Sequence, residues 1–81
     1  MLTRAECQTM RASAEQRAQV VELCERAAGG SVVSYYELGV IYADGRIAPR
    51  NDALAVRLLR VAAGRGLRPA QVRLNQMGYG Q

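Results

Sequence analysis

Cys7 and Cys24 stand 17 positions apart and are the only thiols in an 81-residue chain that has no histidine and no lysine. Without histidine the commonest general base and metal ligand is missing. Without lysine there is no amine for Schiff-base or phosphate chemistry. Two cysteines with no suitably spaced acids do not make a zinc site. If both lie on one helix, their Cα atoms are ~25 Å apart at a rise of ~1.5 Å per residue. A disulfide spans at most roughly 7 Å. Cys7 and Cys24 are therefore expected to be unbridged, small core hydrophobes. Glu22 and Glu25 fall on one helix face, where solvation is the expected role. The glycines at Gly29-Gly30 and at Gly64 and Gly66 lack phosphate-loop spacing and a preceding strand. The chain is expected not to be an enzyme and to use no cofactor or metal.

Binding is the remaining chemistry. Tyr35, Tyr36, Tyr42 and Tyr79 are the only aromatic residues. Tyr36 and Val40 share the face of a helix that points away from its core side, and Arg73 and Gln76 stand 36 positions after Glu37 and Val40. Tyrosine and arginine are enriched where binding energy concentrates. Tyr36, Val40, Arg73 and Gln76 are the candidate partner-binding residues. Charge is unevenly placed: residues 1–45 carry four arginines against six acids, and residues 46–81 carry seven against one. The basic half suits an acidic protein partner. A nucleic-acid-associated regulator is the alternative, but the arginines are spread over loops and two helices and not aligned on one recognition helix.

The elements that must hold these residues are helical. Thr3 with Glu6 makes a capping box. Cys7, Met10, Ala14, Val21, Cys24 and Ala28 then follow at near-heptad steps. One long helix from about Arg4 to Ala28 is the economical reading. Ser13 with Gln16 offers a second capping box, and with it a break near residues 11–13. Gly29-Gly30-Ser31 stops this segment. A second helix is expected over about Val33 to Ala43, ended by Asp44-Gly45. The link through Pro49 is extended. Asn51 caps a third helix, about Asp52 to Ala63, whose wide apolar face implies neighbours on both sides. Pro69 suits the first turn of a fourth. No alternating β-branched run reads as a strand. Leu38, Ile41, Leu58, Leu59 and Leu74 are the expected core.

These elements repeat. Val21 to Gly29, ending in Ala27-Ala28-Gly29, runs in parallel with Val56 to Gly64, ending in Ala62-Ala63-Gly64, 35 residues later. Ser34, Leu38 and Ile41 run in parallel with Ala70, Leu74 and Met77, 36 later. A repeat of that length fits one pair of helices stacked on the next. The expectation is an all-α chain of about four helices in antiparallel pairs.

Residues Ser34 to Leu74 resemble the Sel-one-like repeat, a relative of the tetratricopeptide repeat. The residues that carry the resemblance are Ser34, Leu38-Gly39, Tyr42, Gly45, Pro49, Asn51, Ala55, Ala62-Ala63 and Gly66. Ile47 and Leu58 stand where the family usually has glycine and tryptophan. The resemblance implies a short α-solenoid in one domain, 1–81. A long capping helix with a half-repeat would occupy 1–30, a complete repeat 33–66 and a partial repeat 67–81. It places Tyr42 in the core. It also implies a small, non-catalytic protein–protein interaction module: an adaptor, an inhibitor, a chaperone or an immunity-type protein. Incomplete repeats leave apolar ends, so a homodimer is a further expectation. The arginine-only basic residues fit a bacterial, GC-rich source. No run of about 18 apolar residues marks a membrane span. The N-terminus turns charged at once, and the chain is expected to be cytoplasmic.

Overall fold

The computed structural model describes residues 2–79. Met1, Gly80 and Gln81, at the ends of the expected 1–81 domain, lie outside the described residues. The described residues form five helices: α1 Arg4–Thr9, α2 Arg17–Ala28, α3 Val32–Asp44, α4 Asp52–Gly64 and α5 Arg68–Gln76. There is no strand among the described residues. Each helix packs on its neighbour in sequence, most extensively α3 on α4. No helix among the described residues is long and apolar enough to cross a membrane.

The single long first helix is not formed. The Thr3–Glu6 capping box starts α1 as expected. The backbone then turns extended at Met10, with ψ 133°. The cause is visible in the seam. Between Met10 and Val20 no large apolar side chain is available for a middle turn, and Arg11, Ser13 to Glu15 and Arg17 to Gln19 are all exposed. A helix there would have had no face to bury, and short helices need one. The guanidinium of Arg17 instead donates to the carbonyls of Gln8 and Met10 and closes the end of α1. Ser13 accepts from the Gln16 amide through its backbone carbonyl, so it makes a turn and not the expected side-chain cap.

That reversal corrects the reading of the cysteines. It folds α1 back along α2 and brings the Cα atoms of Cys7 and Cys24 to 5.5 Å, and the two sulfurs form a disulfide. Both residues are core residues, fully buried as expected, but they are bridged. The separation of ~25 Å holds for an unbroken helix only.

The other boundaries follow from caps. Ser31 and Asn51 accept from the backbone amides of Ser34 and Leu54, at the starts of α3 and α4. Gly45 ends α3 in the left-handed region, φ 71°, where an added Cβ would lie 2.8 Å from that of Arg50. The link after it folds back, with the Asn51 amide donating to the Tyr42 carbonyl and Ala48 buried. One core cluster takes in Leu38, Ile41, Tyr42, Leu58, Leu59 and Leu74. Several positions equivalent by the repeat are buried alike: Leu23 with Leu58, Cys24 with Leu59, Ala27 with Ala62, Leu38 with Leu74; Ile41 and Val56 are buried where Met77 and Val21 are half-buried. Tyr35 is also fully buried, and its hydroxyl accepts from the Leu2 amide.

Candidate partner-binding cleft

Helix α3 has two sides. Tyr35, Leu38 and Tyr42 are buried, and this fixes the opposite stripe of Val33, Tyr36, Glu37 and Val40. Helix α5 buries Ala70 and Leu74 and leaves Gln71, Val72, Asn75 and Gln76 outward. Between the two stripes lies an open cleft of about 450 Å³ lined by Tyr36, Arg68, Pro69, Val72, Arg73 and Gln76. Val72 is 47 % exposed and Val33, one turn before Tyr36, is 54 % exposed.

Three of the four candidate residues meet here. Tyr36, Arg73 and Gln76 line the same cleft. Val40 does not: it lines a separate cavity of about 230 Å³ with Ile41, Asp44, Arg46 and Ile47. Tyr36 and Val40 are also more covered than free surface residues, both packing partly against the core. Arg73 is committed. Its guanidinium pairs with the Asp44 carboxylate, which lies within 3.8 Å of Arg46 as well. This pair ties α5 to the end of α3. Arg68, by contrast, makes no ion pair among the described residues, and its exposed charge stands at the rim of the cleft.

Arg68, Pro69 and Val72 were not among the candidate residues. The repeat itself held the signal. Its 36-residue step makes Val72 the equivalent of Tyr36 and Pro69 that of Val33.

The basic half of the chain is largely occupied with its own structure. Arg50 pairs with Asp52, Arg57 with Glu6 and Arg73 with Asp44. Arg65 donates to the Gly30 carbonyl and lies over the Tyr35 ring, 5.9 Å from its centre, a cation–π arrangement. These side chains are spread around the fold and form no single stripe. The Arg50 guanidinium holds the Asp52 carboxyl below its ordinary range. Among the described residues no three of Cys, Asp and Glu come together as a metal-ligand set.

The chain matches no protein-family model, no curated protein and no solved structure.

Proposed function

We propose that this chain is a short Sel-one-like helical repeat that works by holding another protein. In this reading α2 to α5 stack as antiparallel pairs, with a complete repeat at 33–66 between half-repeats. The matched burial of repeat-equivalent residues supports it. One observation carries the binding role: Tyr36, on the outward face of α3, and Arg73 and Gln76, at the repeat-equivalent face of α5, share one open cleft with the exposed Val72. An apolar side chain of the partner would sit between Tyr36 and Val72. An acidic group beside it would meet Arg68, which adds mainly to association rate and specificity. The module would act as an adaptor, inhibitor, chaperone or immunity-type protein. A cytoplasmic setting keeps cysteines as thiols, whereas the Cys7–Cys24 bond suits an oxidising one.

The test is affinity capture from nuclease-treated source cells, with the parent and three variants side by side. Tyr36→Ala and Arg68→Glu should each weaken binding of the captured protein by about tenfold, or ~1.4 kcal/mol. Arg60→Glu, on the exposed face of α4, should bind like the parent. Arg73→Glu is a poorer probe, because it would set two acids against each other at Asp44. Loss of binding in Arg60→Glu alone would move the functional surface to the other side of the molecule.

A further inference from the structure

We propose that Cys7 and Cys24 are a reversible thiol–disulfide site that locks residues 2–16 as a strap over the helical body. Reduction frees the strap and leaves α2 to α5 folded. The inference rests on the N-terminal segment alone and is independent of the cleft between α3 and α5.

The strap has little structure of its own. Helix α1 is six residues long, far below the length at which an isolated helix persists in water. Apart from the disulfide, Arg17 at the start of α2 donates to its Gln8 and Met10 carbonyls, and a few further contacts hold it. The Leu2 amide donates to the Tyr35 hydroxyl at one end, and the Tyr42 hydroxyl donates to the Arg11 carbonyl at the other. Between them Glu6 pairs with Arg57 at 2.9 Å, in an exposed position. The pair is two-pronged, with a second contact of 3.2 Å, yet at the surface such a pair holds only weakly. Leu2 and Met10 are its large buried apolar side chains. Its fit to the body is incomplete: a gap of about 280 Å³ separates Glu6, Thr9 and Met10 from Pro49, Asn51 and Leu54. The body does not depend on it in the same way, since α2, α3, α4 and α5 pack on one another in turn.

The reaction is a two-electron exchange with a dithiol reductant. One thiolate of the reductant attacks a sulfur of the Cys7–Cys24 pair and forms a mixed disulfide. Its second thiolate then displaces the remaining cysteine. The reductant leaves as a disulfide, and Cys7 and Cys24 each take up a proton as thiols. Both cysteines are fully buried, so attack waits on a local lifting of the strap. Once reduced, the strap keeps no covalent cross-link to α2, and the Arg17 guanidinium and the hydroxyls of Tyr35 and Tyr42 exchange its backbone groups for water.

Hydrogen exchange on the full chain tests this, comparing the oxidised protein, the protein reduced with dithiothreitol, and the Cys7→Ala/Cys24→Ala variant. The strap amides should exchange roughly tenfold faster or more in the reduced and variant proteins, as for a locally released segment. Amides of α3 and α4 should keep their protection, and the reduced thiols should react with iodoacetamide in native buffer. Unchanged strap exchange, with thiols that stay unreactive, would show that the non-covalent contacts suffice and overturn the proposal. Loss of protection in all five helices together would overturn it too, since the bond would then support the whole fold.

Discussion

Gly39 lies in the middle of α3, directly against α4. A Cβ built on it would stand 2.8 Å from Leu59 Cγ and 3.4 Å from the Ala55 carbonyl oxygen. Two effects oppose each other in Gly39→Ala. Alanine favours the helix by ~1 kcal/mol, and overpacking a core typically costs ~1–3 kcal/mol. Leu59 is fully buried, so moving it disturbs the packed core around it; the cost should win and the variant should melt below the parent. A higher melting temperature would mean that the two helices can part without loss. Leu58→Ala leaves a cavity at a fully buried position and should lose about 2–5 kcal/mol in a denaturant titration. That is a large share of the stability of any small domain.

The first helices carry the lesson at the scale of elements. The Arg57 guanidinium holds the Glu6 carboxyl below its ordinary value. A depressed carboxyl contributes to the fold while ionised, above its unfolded pKa of ~4.3. That contribution is lost as pH falls through the lower, folded value. Amide shifts of Thr3 to Cys7, followed by NMR, should therefore move toward unstructured values in acid. In Glu6→Gln they should start nearer those values and respond less to pH. The caps of α1 and α4 were legible because Thr3 and Asn51 act on amides three residues away; Ser31, read only as part of a stop, caps α3 in the same way. The break after Met10 was legible only as an alternative. A near-heptad pattern continued across it in small residues, and spacing does not register that alanines offer too little to bury. The disulfide was hidden behind that same misreading, because the distance between two cysteines depends on the path of the chain between them. The cleft was partly legible. The repeat identified Tyr36 and the α5 face, but pairing Tyr36 with Val72 required reading the 36-residue step at every position of the stripe. Val40 illustrates the limit. It shares a stripe with Tyr36, yet Ile47 and Arg46 from the following link close around it.

For the whole molecule, the distribution of partners matters more than the net charge of +4. Many of its arginines are spent on internal pairs, so non-specific polyanion binding should be weak. It should fall steeply between about 50 and 200 mM salt, as phosphate contacts do. Tight DNA binding at the upper salt level, measured by fluorescence anisotropy, would restore the nucleic-acid alternative. Association of two copies through the cleft predicts sedimentation that depends on concentration in the parent and not in Val72→Glu. A parent that stays monomeric at all concentrations leaves the cleft to a different protein.

The strap also sets an order of events in time. Helices that pack on their sequence neighbours make local contacts, and topologies of that kind fold quickly. The strap must instead find Tyr35 from Leu2, 33 residues away, and Arg57 from Glu6, 51 residues away. During synthesis, at ~5–20 residues per second, Leu2 and Glu6 emerge long before either of those docking points exists. Leu2 and Glu6 thus wait for α3 and α4 before their own contacts can close.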